Sequence, residues 1–101
     1  MGIKSVGVVG AGQMGSGIAH VFAMAGYNVL LNDINAEGLA KAVALIDRNI
    51  ERQVSKGKTT ADEKTAALSR ITTTLTLADL GKCDLVIEAA TEKEAIKNAI
   101  F

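Results

Sequence analysis

Gly10, Ala11, Gly12, Gln13, Met14 and Gly15 make a G-x-G-x-x-G run, and Asp33 follows at the end of the next apolar segment. This spacing suits the binding of a phosphate and a sugar rather than a covalent reaction. Gly10 permits a tight turn, Gly12 lets the backbone approach a pyrophosphate, and Gly15 lets a helix pack closely on a strand. Amides at the start of that helix offer donors, and the positive end of the helix dipole adds to their pull on an anion. Asp33 can accept both hydroxyls of an adenosine ribose and would repel a 2′-phosphate. Ile34 and Asn35 supply no cation to offset that repulsion, so the residues favour NAD over NADP. FAD shares the same fingerprint.

Other groups carry less chemistry. Arg48, Arg52 and Lys56 recur at four-residue intervals, which puts three cations on one helical stripe with Glu51 beside it. Such a stripe is either a solvated face or a seat for an anionic ligand. Glu88, Glu92 and Lys97 fall near the carboxyl ends of the expected strands, where open α/β folds bind ligands. His20 is the only histidine and points away from the Ile18/Phe22 stripe, so a surface or packing role is expected, not catalysis. Cys83 has no Cys or His at metal-ligand spacing, so no metal site is expected. No Ser-His-Asp set, paired carboxylates or P-loop stands out, and no catalytic residue is assigned.

The elements that must position these residues follow from periodicity. Residues 3–9 read as a buried strand, with β-branched Ile3, Val6, Val8 and Val9. Gly15, Ile18, Ala19 and Phe22 recur with helical spacing, and Gly26 supplies the stop. Val29, Leu30 and Leu31 form a second strand, so strand, helix and strand make one βαβ unit. Both strands are apolar throughout, the mark of a parallel sheet covered on two faces. Leu39, Val43, Ile46, Ile50 and Val54 then share one face of a long helix that Gly57 ends. Thr60 with Glu63 is a capping-box pattern for a further helix to about Arg70. A third strand is expected over 71–77, a short turn or helix at Leu80 and Gly81, a fourth strand over 85–87, and a helix over 92–101. The two helices within about 36–70 form a hairpin inserted where a doubly wound fold usually needs a single crossover helix. The expected fold is α/β: a Rossmann-type parallel sheet carrying an inserted helical hairpin and incomplete at its C-terminus.

Composition closes off other classes. Eleven basic and eleven acidic residues give a formal net charge of zero, which offers nucleic acid or an anionic membrane no electrostatic attraction. Residues 5–32 lack Asp, Glu, Lys and Arg, but six glycines with Gln13, His20, Asn28 and Asn32 interrupt them too often for a membrane span or signal peptide. One cysteine fits a reducing compartment, so a cytoplasmic chain is expected.

The run GAGQMGSGIAHVFAMAGYNVLLND resembles the NAD-binding end of 3-hydroxyacyl-CoA dehydrogenases, especially bacterial 3-hydroxybutyryl-CoA dehydrogenases, and DLVIEAATEKEAIKNAIF resembles the family's fourth strand and following helix. The long helix, lysine-rich turn and second helix between them are similar to its characteristic insertion. The resemblance implies hydride transfer between NAD and C3 of a 3-hydroxyacyl-CoA. It places Gly10 to Gly15, Asp33, Ala89, Glu92 and Lys97 on the cofactor side, and makes Asn49, Arg52 and Lys56 contacts for the CoA substrate. Members are nearly three times this length, and their catalytic histidine, its glutamate partner and their helical dimerisation domain have no counterpart here. Residues 1–101 are therefore expected to be the N-terminal part of the NAD-binding domain, inactive alone and prone to homo-oligomerisation or element swapping. The alternatives are another NAD-dependent dehydrogenase of the superfamily, such as a lens crystallin relative, or a non-catalytic nucleotide-sensing module. The inserted hairpin argues against a short-chain hydroxyacid dehydrogenase.

Overall fold

A computed structural model describes residues 4–89. In chain order the elements are β1 (Ser5–Val9), α1 (Gln13–Met24), β2 (Asn28–Asn32), α2 (Ala36–Ser55), α3 (Ala61–Ser69), β3 (Ile71–Thr74), a 3₁₀ helix (Leu77–Lys82) and β4 (Leu85–Glu88). The helix expected over 92–101 lies outside the described residues. All described strand pairs are parallel, in the order β3-β2-β1-β4. The chain winds outward from β1 through β2 to β3, then crosses back to lay β4 on the other side of β1. That reversal makes the carboxyl ends of β1 and β4 the switch point of the sheet.

Alternation along the strands decides where the core lies. Val6 and Val8 of β1 and Val29 and Leu31 of β2 are buried among Ala19 and Ala23 of α1 and Leu39, Ala42, Ile46 and Ile50 of α2. The opposite face is covered less completely. Leu30 is only half-buried there, and Val86 is 48% exposed. Leu80 of the 3₁₀ helix seats directly over Gly7, where an added Cβ would come within 2.9 Å of its Cγ. The uniformly apolar strands thus announce a parallel sheet correctly but overstate burial on the second face.

Small residues draw α1 onto the sheet. Its fully buried positions are Gly15, Ser16, Ala19 and Ala23, whereas Ile18 and Phe22 of the expected stripe flank the core half-buried. Phe22 instead meets Tyr27 edge-on, ring centroids 5.4 Å apart. Ala42 likewise enters the core of α2 while Val43 and Val54 stay at its margin. Arg70, just past α3, donates from Nη1 to the Ala23 carbonyl at 2.8 Å and so caps the C-terminal end of α1 from a distant element.

Two helix starts close on themselves. The Asn35 side chain accepts from the amides of Glu37 and Gly38, and Thr60 Oγ1 accepts from the Glu63 amide at 3.1 Å. The capping box at Thr60 is only half formed, because the Glu63 carboxylate accepts from Thr59 Oγ1 at 2.8 Å instead. The third strand ends at Thr74, short of the expected 77, since Leu77 opens the 3₁₀ helix. The chain needs that early turn to swing from β3 across to β4. Among the described residues no helix is long and apolar enough to cross a membrane.

Asp84 ties the start of β1 to β4. Its Oδ2 accepts from the amides of Lys4 at 2.9 Å and Ser5 at 3.1 Å, while its own amide donates to Ser5 Oγ at 3.1 Å. The two backbone donors hold its carboxyl below the usual range, so the folded state favours the ionised form. The stabilisation is then complete above the unfolded carboxyl value and fades as pH falls below about 4. We predict that Asp84→Asn melts at a lower temperature than wild type at pH 7 and that the two converge toward pH 2. Melting curves that coincide at pH 7 would show the tether to be irrelevant.

Candidate dinucleotide site

The glycine run forms the turn between β1 and α1 at the switch point. Gly10 has φ of 101°, a conformation costly for residues with a Cβ, and its amide donates to the Asn32 carbonyl at 2.8 Å. Gly15 is demanded by contact rather than conformation. A Cβ there would lie 1.7 Å from the Gly10 carbonyl oxygen and 3.6 Å from the Ala89 Cβ. The helix therefore starts flush against the turn that precedes it. Gly12 meets nothing within 4 Å of an added Cβ, so its outer side is open to a ligand.

The start of α1 differs from those of α2 and α3. Its N-cap is Gly12, which supplies no side-chain acceptor, and no acidic residue lies in its first turn. The amides of Gln13, Met14 and Gly15 occupy the first turn, where a helix has no internal acceptors for them. Gln13 and Met14 are exposed, with Met14 56% accessible. An anion placed here gains both the donors and the dipole end.

Asp33 stands beside this cradle. Its Oδ2 accepts from the Ala11 amide at 2.8 Å and its Oδ1 from the Asn35 amide at 3.1 Å. An ionised carboxylate has about four acceptor positions, so two remain for ribose hydroxyls. The Ala11 contact is the one feature of the site that spacing did not foretell: the sequence places Asp33 near the turn without showing that the turn is held by it. Ala89, 3% exposed, packs at the end of β4 with its amide donating to the Val9 carbonyl at 2.8 Å. It backs Gly15 across the switch point. Glu92 and Lys97 lie outside the described residues.

The basic residues occupy a different place. Asn49, Arg52 and Lys56 line a groove of about 310 Å³ together with His20, Gln53 and Lys58. Arg48, which the four-residue spacing groups with them, is exposed but takes no part in the lining. The better sequence signal is Asn49, Gln53 and Lys56 at i, i+4 and i+7. His20, expected in a surface or packing role, is half-buried; burial lowers its pKa, while the Gln53 side chain acts the other way. Two larger hollows, of about 460 and 500 Å³, lie over Leu30, Arg70 and Thr72 and beside Leu39, Val43 and Leu75, away from the glycine turn. Burial, and then the Asp84 charge, raise the pKa of Cys83, so it is no thiolate nucleophile at neutral pH. No cluster of metal-ligating side chains occurs among the described residues.

Two glycines of α1 give a paired test. Gly15→Ala should destabilise the fold by about 1–3 kcal/mol, because backbone must move to admit the methyl group. It should also weaken NAD binding at least about tenfold by spoiling the cradle. Gly17 meets nothing within 4 Å, so Gly17→Ala should stabilise by about 0.5–1 kcal/mol and leave NAD affinity unchanged. Thermal melts with calorimetric titration decide, and equal effects of the two changes would refute this account of the turn.

Comparison with known proteins shows the family. The family described as 3-hydroxyacyl-CoA dehydrogenase, NAD binding domain, matches residues 5–101. A 3-hydroxybutyryl-CoA dehydrogenase of Bradyrhizobium diazoefficiens is 58% identical over 99 residues, covering 98% of this chain and 34% of that protein. One from Mycobacterium tuberculosis is 51% identical over 100 residues, covering 98% of this chain and 35% of its own length. Among solved structures, an (S)-3-hydroxybutyryl-CoA dehydrogenase from Ralstonia eutropha aligns with a TM-score of 0.90 at 42% identity, over 98% of this chain and 35% of that one. The chain thus spans about a third of the length of the curated relatives it matches. With the family model matching residues 5–101 and the fold aligning closely, the chain belongs to the 3-hydroxyacyl-CoA dehydrogenase family, in its NAD-binding domain.

Proposed function

We propose that this chain is the cofactor-binding portion of an NAD-dependent 3-hydroxybutyryl-CoA dehydrogenase, acting on 3-hydroxyacyl-CoA thioesters. The observation that carries the reading is the uncapped start of α1 beside Asp33, a site shaped for the ADP half of NAD. Gln13, Met14 and Gly15 present amides to the pyrophosphate, Gly10, Ala11 and Gly12 shape the approach, and Asp33 selects an unphosphorylated ribose. Ala89 holds the turn in place from behind, and the family resemblance assigns Glu92 and Lys97 to the same cofactor. Bound NAD supplies the hydride acceptor for oxidation at C3 of the substrate.

The groove lined by Asn49, Arg52 and Lys56 is the second half of the proposal. Its cations suit the phosphates of coenzyme A, and Asn49 offers an amide to the same ligand. The ion pairs of the hairpin support this. Lys64 on α3 holds both Asp47 and Glu51 of α2 at 2.8 Å, which draws the nearby carboxylates away from the groove. Those two hydrogen bonds, Asp47 first, raise the Lys64 pKa and keep it charged across the neutral range. Arg52 and Lys56 form no ion pair among the described residues.

Chemistry at C3 needs a general base near the nicotinamide. His20, the only histidine, lies about 12 Å along α1 from the phosphate turn and faces Gln53, so it does not serve as that base. The chain should bind NAD and fail to oxidise NADH when acetoacetyl-CoA is added; measurable turnover would contradict this. Lys56→Ala should weaken coenzyme A binding about fivefold with NAD affinity unchanged, a loss in the range for one partly exposed charge-assisted contact.

Assembly and location belong to the same proposal. Outer strands β3 and β4 bound the described sheet, and Leu75, Leu77 and Val86 are each about half accessible. An apolar surface of this kind beside a strand edge favours a homo-oligomer or an element-swapped assembly. Sedimentation velocity should show concentration-dependent association, and a single monomer boundary at all concentrations would count against it. The free Cys83 thiol suits a cytoplasmic setting.

A further inference from the structure

The groove between α1 and α2 contains one group that the CoA reading does not use. His20 comes from α1, half-buried, and shares the same 310 Å³ space with Asn49, Arg52 and Gln53 of α2, its C-cap Lys56, and Lys58 of the following turn. Among the described residues these are the polar and charged groups that line it. Helix α1 carries no charged residue, and neither α1 nor α3 places an acidic side chain in the lining. Three fixed cations and a titratable ring therefore share a groove without a carboxylate among the described residues.

We propose that His20 is a direct contact for a phosphate group in this groove, so that the ligand is held more tightly when the ring is protonated. The proposal rests on the CoA reading for the source of that phosphate, the nucleotide end of coenzyme A with its 3′-phosphate. A neutral imidazole has one donor; protonation adds a second donor and a positive charge. Burial makes the charged ring costly in the empty groove, and a bound phosphate offsets that cost. Burial keeps the free ring neutral near pH 7, so the contact strengthens on mild acidification rather than being constant.

The chain has a single histidine, so the ring signals in a proton NMR spectrum report this residue alone. Adenosine 3′,5′-bisphosphate is the probe, because it carries both phosphates and no pantetheine. Linkage requires that a ligand favoured about fivefold by protonation raise the His20 pKa by about 0.7. Titration of wild type and His20→Gln from pH 5.5 to 8 supplies the companion measurement. The phosphate monoesters of the probe themselves titrate near pH 6, and comparison with His20→Gln removes that contribution. Wild type should bind about fivefold more tightly at pH 5.5 than the variant does, with the two converging at pH 8. A ring pKa unmoved by saturating probe, or equal pH slopes in the two proteins, overturns the role of His20 and leaves the CoA groove standing. If neither protein binds the probe at any pH, the CoA reading fails as well.

Discussion

The hydrogen bond from the Ala11 amide to the Asp33 carboxylate, 2.8 Å long, is the constraint on which the site depends. It joins the turn after β1 to the end of β2, so the helix start and the carboxylate that are proposed to hold phosphate and sugar are fixed relative to each other. The Gly10 amide reaches the Asn32 carbonyl at the same distance, giving the turn a second tie to that strand. A charged acceptor makes the first of these stronger than an ordinary backbone pair. What such pre-positioning contributes is the ordering cost that a mobile loop would otherwise incur on binding.

The rest of the fold serves that junction. Parallel pairing of β1 with both β2 and β4 sets the two strand ends side by side. Small residues along α1 let the helix lie close on the sheet, and Arg70 secures its far end through the Ala23 carbonyl. The helical hairpin has its own division of charge. Lys64 gathers Asp47 and Glu51 of α2, while Arg52 and the helix-capping Lys56 line the groove beside His20. One helix thus contributes to the core, to the hairpin and to an anion-seeking groove on three separate faces.

Much of this was legible from the residues. The glycine run, Asp33, the βαβ unit and the long amphipathic helix all follow from spacings local to one or two elements, and local spacing is what a sequence displays. The failures are equally physical. Gly15 and Ala19 of the expected stripe are buried, but Ile18 and Phe22 stop half-buried while Ser16 and Ala23 go fully in, a choice that close packing on the sheet makes rather than the helix. The third strand stopped at Thr74 because the crossover to β4 needed Leu77 elsewhere. His20 packs as its place on the helix suggested, but its neighbours Asn49, Gln53 and Lys58 lie some 30 residues or more away in sequence and no local spacing names them. Even Asp33 was recognised for a ligand it could hold, while its bond to Ala11 was visible only in three dimensions.

Titration of the isotopically labelled chain with ADP-ribose, followed amide by amide, tests the central claim most directly. The largest shifts should fall on Ala11, Gln13, Met14 and Gly15, and Asp33→Ala should reduce affinity at least about tenfold by removing both the ribose acceptor and the tie to the turn. Shifts centred instead on Leu30, Arg70 and Thr72, or an affinity indifferent to Asp33, would show that the nucleotide lies somewhere other than the start of α1.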